Sequence, residues 1–406
     1  MRVGVWDGAA LLCLGGAVGG SVVVLSWLVD GAAEVFACHP ELVWLLPVAG
    51  FASYGLYRAL RLEFSWGTAR VMQAVDSGDE VPVTLAAAIL ISTALTVLAG
   101  GSVGKEAAAL QMGAGLGSAA TRWVSHRMRP SVAPAAMAAA LGAMLSAPAA
   151  GVVFVFEVLR RGPGSMLDAL APVATSLVAW GVTEAAGVRF LDATAAVLPA
   201  LLPLGDATAL SLAAGCCAGL LALMFCGALS AVHRALAALG APVFALAVGG
   251  VATALLLGYA DVLHYEELRC YCGTGAIQIE SALAGSPVPW WAFAAKALLT
   301  VLTLAGGFKG GEIMPVLAVG ACCGASVASG AGVVLGADAA SLQPLLSAVT
   351  MVAFFAGCTN CPLSALVLAV ELFGCAVLPW AALACLPAFV LARSTSLYPT
   401  SLRSYP

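Results

Sequence analysis

Residues 100–117 read GGSVGKEAAALQMGAGLG. An acid and a base, Lys105 and Glu106, stand between glycines at the head of an apolar run. A second stretch, GGFKGGEIMPVLAVGACCG at 306–324, repeats the pattern with Lys309 and Glu312. The surrounding chain makes both stretches conspicuous. Its 406 residues are 62% hydrophobic and only 9% charged, whereas soluble domains carry about 25% charged residues. The chain reads as an integral membrane protein. Its net charge of −4 is small and no basic run stands out, which gives no footing for nucleic acid.

Apolar windows recur at 9–29, 42–57, 83–100, 132–159, 209–232, 240–263, 291–305, 314–335, 345–372 and 375–392. The first is as long as a spanning helix needs and lacks a clear cleavage site, so it reads as a helix and not a signal peptide. Several windows are interrupted by Gly or Pro, as in broken or re-entrant helices shielded by protein. The thirteen cysteines lie mostly in apolar surroundings and read as small buried thiols. Cys270/Cys272 and Cys358/Cys361 have no partner pair, and the histidines His39, His126, His233 and His264 are scattered. No metal set or cofactor is expected. A membrane-embedded enzyme would need a nucleophile, a base and an orienting group, and no such constellation is visible.

The chain contains an internal repeat. Gly104, Gly113 and Gly117 recur at Gly311, Gly320 and Gly324, and Pro82 recurs at Pro289. APAAGVVFVFEV (147–158) recurs as CPLSALVLAVEL (361–372), which puts Pro148 on Pro362 and Glu157 on Glu371. The expected organisation is one transmembrane domain over 1–406, with one copy over about 40–190, a second over about 245–395, and no soluble regulatory domain. Loop charge sets their relative sense. The first copy has Arg122, Arg127 and Arg129 after the Glu106 helix, then Arg160 and Arg161, whereas the matching loops GADAASLQP and FGCAVLPW carry no Lys or Arg. Short cytoplasmic loops collect Lys and Arg, so the copies are expected to be inverted, with a site near the midplane between them.

A glycine break before an apolar helix leaves backbone N–H groups free at a positive dipole end. Two such termini meeting in the membrane form an anion site. Glu106 can fill that site while ionised and vacate it when protonated, which couples a proton to an anion. Intramembrane acids are functional candidates by default. The three lysines, Lys105, Lys296 and Lys309, offer local positive charge. Matching positions for Glu157 and Glu371 point to a shared structural hydrogen-bonding role, and the Gly-x-x-x-Gly pairs point to helix contact.

These residues resemble the CLC chloride channels and anion/proton antiporters. GKEAA (104–108) is similar to the family's G-[KR]-E-G-P segment, GEIMP (311–315) to G-x-F-x-P, and APAAGVVFVFEV to A-P-L-A-G-x-x-F-x-x-E-E. TSLYPTS (395–401) stands where the family places its anion-coordinating tyrosine, here Tyr398. The first filter segment corresponds to SWGTA (65–69), without the usual serine. Glu312 replaces an apolar residue, and the second family acid would fall at Val158. These three departures are similar to the fluoride/proton antiporter branch. Met314 in place of the threonine expected there and Ala107–Ala108 in place of Gly-Pro or Gly-Thr are two further departures from the family pattern.

The resemblance implies an all-α, CLC-like bundle of inverted repeats with broken and re-entrant helices. It implies export of fluoride in exchange for protons by a multi-pass homodimer in the cytoplasmic membrane, with a pore in each subunit. Glu106 would be the proton-coupled gate and Glu312 the second carboxyl. Gly67, Gly104, Lys105, Glu106, Ala107, Gly311, Glu312, Ile313, Met314 and Tyr398 would bind the anion. A chloride/proton antiporter or passive chloride channel of the same fold is the alternative.

Overall fold

Proline and left-handed residues cut the apolar runs into helices. The computed structural model describes residues 4–160, 166–191, 204–262, 266–336, 338–398 and 400; Arg161 and His264 lie outside them. Among the described residues the chain forms sixteen α-helices and no extended strand. The first eight are α1 Val5–Cys38, α2 Leu46–Ala59, α3 Thr68–Ser77, α4 Thr84–Leu98, α5 Glu106–Ala120, α6 Arg129–Met144, α7 Pro148–Val158 and α8 Met166–Ala185. The second eight are α9 Leu204–Ala237, α10 Pro242–Val262, α11 Ala276–Leu283, α12 Ala292–Ala305, α13 Ile313–Leu335, α14 Ala339–Thr359, α15 Pro362–Phe373 and α16 Leu378–Ala392.

The two series run in the same order. Each begins with a 34-residue helix, about 51 Å long at 1.5 Å per residue. That exceeds a hydrocarbon core of about 30 Å, so both must tilt. Each series extends upstream of the expected repeat limits near 40 and 245, because α1 and α9 share length and place without a shared motif. Packing follows the same symmetry: α5 lies on α6 as α13 lies on α14, and α1 lies on α8 as α9 lies on α16. Among the described residues six helices are long and apolar enough to cross a membrane, and α4, α7, α12 and α15 are shorter apolar pieces.

The windows 132–159 and 345–372 are not single helices. The first breaks at Ser146 and the second at Asn360, both non-glycine residues at positive φ, 52° and 57°. Each is followed two residues later by a proline at the start of the next helix, Pro148 or Pro362. A missing N–H costs nothing there, because the first helical amides have no intrahelical acceptor. The small-residue pairs serve helix contact. A methyl group on Gly113 would come within 2.4 Å of the Ala136 carbonyl oxygen on α6, and one on Gly324 within 2.3 Å of Leu346 O on α14.

Glu157 and Glu371 bind the copies together. Each stands at the C-terminal end of its own helix, where the dipole disfavours an acid. Each reaches the N-terminus of the other's helix instead. Glu157 accepts from Leu363 N–H at 3.0 Å and Ser364 N–H at 2.8 Å. Glu371 accepts from Ala149 N–H at 2.9 Å and Ala150 N–H at 2.7 Å. Four otherwise orphaned amides are satisfied by two reciprocal carboxylates. Glu157→Ala and Glu371→Ala should each cost about 2 kcal/mol, as expected for hydrogen bonds to a charged acceptor. Unfolding in detergent should show similar losses, and a strong inequality would break the equivalence of the two caps.

Candidate functional site

The glycine stretches meet in space. Gly104 N–H donates to Gly311 O at 2.6 Å, and Gly311 N–H donates to Gly104 O at 2.7 Å. This antiparallel pair sets the first turns of α5 and α13 side by side. The first intrahelical bonds are Ala109 N–H to Lys105 O and Val316 N–H to Glu312 O. The amides of Glu106, Ala107 and Ala108, and of Ile313 and Met314, precede those bonds and remain for a ligand. The approach requires glycine. A methyl group on Gly104 would lie 2.5 Å from Glu106 Oε2 and 2.7 Å from Met314 Cβ. One on Gly311 would lie 2.8 Å from Ala107 N.

Glu106 is the first residue of α5 and is 0% exposed. Neither carboxylate oxygen has a hydrogen-bond partner among the described residues. The carboxylate folds back over Gly104, toward the first turn of α13. Ala107, Ile313 and Met314 are buried around it. Glu312 caps α13 and is held differently. Thr68 Oγ1 donates to Glu312 Oε2 at 3.2 Å, and Gln111 Nε2 donates to Thr68 Oγ1 at 3.0 Å.

The buried Tyr398 phenol lies against the Glu312 carboxylate. Its ring meets Phe154 edge-on at 6.1 Å. The segment that carries Tyr398 docks on the turn between α14 and α15, through Leu397 N–H to Cys358 O at 2.9 Å and Asn360 Nδ2 to Thr395 O at 2.9 Å. Cys358 and Cys361 are free thiols at this turn, and no metal cluster forms among the described residues.

Gly67 caps α3 and, with Thr68, Gln111 and Glu312, lines a cleft of about 900 Å³. Lys309 also lines it, but its ammonium is spent on backbone, donating to Phe64 O at 2.6 Å and Trp66 O at 2.8 Å. Lys296 likewise donates to Tyr271 O at 3.0 Å and Gly273 O at 2.7 Å. Lys105 contributes its backbone as the cap of α5. Its ammonium is engaged by Asp30 and Ser26 of α1, not aimed as free charge at the pocket. The structure thus gathers Gly67, Gly104, Glu106, Ala107, Gly311, Glu312, Ile313, Met314 and Tyr398 around one junction. Sequence reasoning missed Thr68, Gln111 and Asp30. Gln111 was detectable as the one polar amide in an Ala-, Gly- and Leu-rich helix.

Paired helix termini around a buried acid define a multi-pass membrane protein that handles small anions. The family model described as voltage gated chloride channel matches residues 49–393, and the chain belongs to that family, the CLC family of channels and anion/proton exchangers. A curated relative from Pseudomonas syringae pv. tomato, a chloride/fluoride channel protein, is 32% identical over 382 residues, covering 91% of this chain and 80% of the relative. The fold is similar to that of a CLC-type fluoride/proton antiporter, with a TM-score of 0.86, 24% identity and 97% of each chain covered. It is also similar to that of a slow cyanobacterial Cl⁻/H⁺ antiporter, with a TM-score of 0.78, 19% identity, and 97% and 95% covered.

Gly104→Ala should displace the Glu106 carboxylate and strongly reduce anion flux in reconstituted vesicles. Gly16→Ala on α1 meets nothing within 4 Å and should leave flux at the wild-type rate. Wild-type flux in Gly104→Ala would mean that the close approach is dispensable.

Proposed function

We propose that this protein is a fluoride/proton antiporter that exports fluoride from the cytoplasm in exchange for protons. The observation that carries this reading is the second buried carboxyl, Glu312, at the cleft side of the paired termini beside the hydroxyls of Thr68 and Tyr398. Fluoride is small and strongly hydrated, so stripping its water requires dense donors. Backbone amides of α5 and α13, the Tyr398 hydroxyl and a protonated Glu312 supply them. A protonated carboxyl donates one O–H bond that an ionised one cannot.

Ionised Glu106 occupies the anion position as a tethered substitute. On binding a proton it becomes neutral, loses its attraction to the helix termini and yields the position to a free anion. Loss of the proton restores the carboxylate and expels the anion. One negative charge thus exchanges for another at a fixed positive site. With Val158 an apolar, buried residue, the family's second relay acid has no counterpart on α7.

The cleft is lined by Thr68, Arg70 and Gln73 of α3 and by the last turns of α9, and α3 leads down to the α3–α4 turn, where Val81 N–H donates to Ser118 Oγ at 3.1 Å near the end of α5. That end leads into the loop carrying Arg122, Arg127 and Arg129, so the cleft faces the cytoplasm by the positive-inside rule. The working unit is a homodimer with one pathway per subunit, in the bacterial cell membrane.

Reconstitution with fluoride, chloride and pH electrodes tests the reading. Fluoride release should be matched by proton uptake, and chloride release should be roughly tenfold slower or more, about 1.4 kcal/mol of barrier. Glu106→Gln should lose the proton movement. Equal fluoride and chloride rates would favour the chloride/proton antiporter or passive channel, and coupled flux surviving in Glu106→Gln would remove that residue from the mechanism.

A further inference from the structure

The Lys105 ammonium donates to both carboxylate oxygens of Asp30, at 2.7 Å each, and to Ser26 Oγ at 2.6 Å. Ser26 Oγ in turn donates to Asp30 Oδ2 at 3.0 Å. The three groups form a graded line toward the gate. The Asp30 side chain is 52% exposed and Lys105 is 11% exposed, and the adjoining Glu106 is sealed with both oxygens unpartnered.

This line lies away from the cleft. At the start of α1, Asp7 accepts from Ser125 N–H and Oγ in the arginine-bearing loop. Asp30 is 23 residues further along the same helix, about 35 Å toward its other end. Asp30, 52% exposed, therefore lies toward the side of the membrane opposite the arginine-bearing loop.

Few other charges face Glu106. α4 carries none, and α6 carries only Arg129, at its far end. From α13 comes Glu312, held by Thr68. Of the charges on α3, Arg70 lines the cleft and pairs with Glu63 at 2.6 Å, and Asp76 stands near the C-terminal end of the helix, away from its junction with Glu312. Lys309 is bound to carbonyls. The balance at Glu106 thus depends on one cation, Lys105, and one anion that neutralises it, Asp30.

We propose that Asp30 is a positioning and charge-balancing residue that sets the pH at which Glu106 exchanges its proton with the medium opposite the cleft. It does so by holding Lys105 in place and cancelling its charge. This rests on the reading of Glu106 as a proton-accepting gate. With Asp30 ionised, Lys105 cannot trap Glu106 as a permanent carboxylate or hold the transported anion at the mouth. Removal of the Asp30 charge leaves an uncompensated ammonium beside Glu106. That favours the ionised gate, so a higher proton concentration is needed to open it. Removal of Lys105 has the opposite sign.

Protonation of Glu106 can be read by infrared difference titration, as the carboxyl C=O band that is absent in Glu106→Gln. Coupled anion flux against pH on that side should follow the same midpoint. Asp30→Asn should shift the midpoint toward acid by about one pH unit, the size expected of one unscreened neighbouring charge. Lys105→Met should shift it toward alkali. The double variant should return close to wild type, Asp30→Glu should preserve it, and Glu34→Gln at an exposed position of α1 should not move it.

A purely structural pair would lower protein yield or flux at every pH without moving the midpoint, and that result overturns the proposal. So do shifts of the same sign in the two single variants. If Asp30→Asn does not fold, the alkaline shift in Lys105→Met alone decides. If the protein carries chloride and not fluoride, the same midpoints are read with chloride, so failure of the fluoride assignment is distinguishable. If neither anion is coupled to protons, the infrared midpoint still tests the charge balance.

Discussion

Two backbone hydrogen bonds between Gly104 and Gly311 hold the rest of the site together. They force the N-termini of α5 and α13 into contact inside an apolar bundle. Each terminus carries roughly half a positive charge, so the junction is electrostatically unfavourable when empty. Glycine makes the approach sterically feasible, because any side chain at either position would strike the opposite helix or Glu106. What makes it stable is negative charge, which can come from a tethered carboxylate or from a free anion. The same constraint that joins the halves therefore creates the binding site, and interchange of the two anions needs no rearrangement of the helices.

Two glutamates begin their own helices and two others send their carboxylates to the N-terminus of a partner helix, and their partners sort these four by role. Glu157 and Glu371 each accept two amide hydrogen bonds at the edge of the bundle and act as fixed inter-repeat clasps. Glu312 has the intermediate arrangement, with one hydroxyl donor from Thr68 and the Tyr398 phenol beside it. Glu106 has none, although it is the most deeply enclosed. A buried polar group without partners costs roughly 1–3 kcal/mol, and more if charged. That penalty disfavours Glu106 in its present pose and suits a side chain that must leave it. On the proposed reading the two outer clasps hold the scaffold still while the central acid moves.

Much of this was legible in the sequence. The offset glycines, prolines and paired glutamates marked two copies, and the two glycine breaks located the junction. The copies' first helices were not legible as repeats, since α1 and α9 share geometry but no motif. Nor were the breaks at Ser146 and Asn360, where non-glycine residues adopt a left-handed conformation that serine disfavours and asparagine only tolerates. At the site the backbone was easier to read than the side chains. Lys105 looked like free charge beside an anion pocket, yet its partner Asp30 lies 75 residues away on α1. Thr68 and Glu312 are separated by 244 residues. Such pairings depend on how helices pack, and the local pattern around each residue does not carry that information.

The scaffold is two-fold in design, but the site is not. The N-terminus of α3 opens on the cleft with Gly67 and Thr68, and Lys309 steadies the carbonyls just before it. At the equivalent α11, Lys296 performs the same bracing on Tyr271 and Gly273. There, however, a methyl group on Gly275 would come within 2.6 Å of Ala318 Cβ and 2.9 Å of Lys296 Cε. The space that is an open cleft beside α3 is occupied by packed side chains beside α11. A symmetric bundle would present the junction identically to both faces of the membrane. Filling one half-site and leaving the other open gives Glu312 the cleft and leaves Glu106 sealed beside the Lys105–Asp30 pair. The two carboxyls thereby stand in chemically different surroundings, which on the proposed reading lets a single buried site distinguish inside from outside.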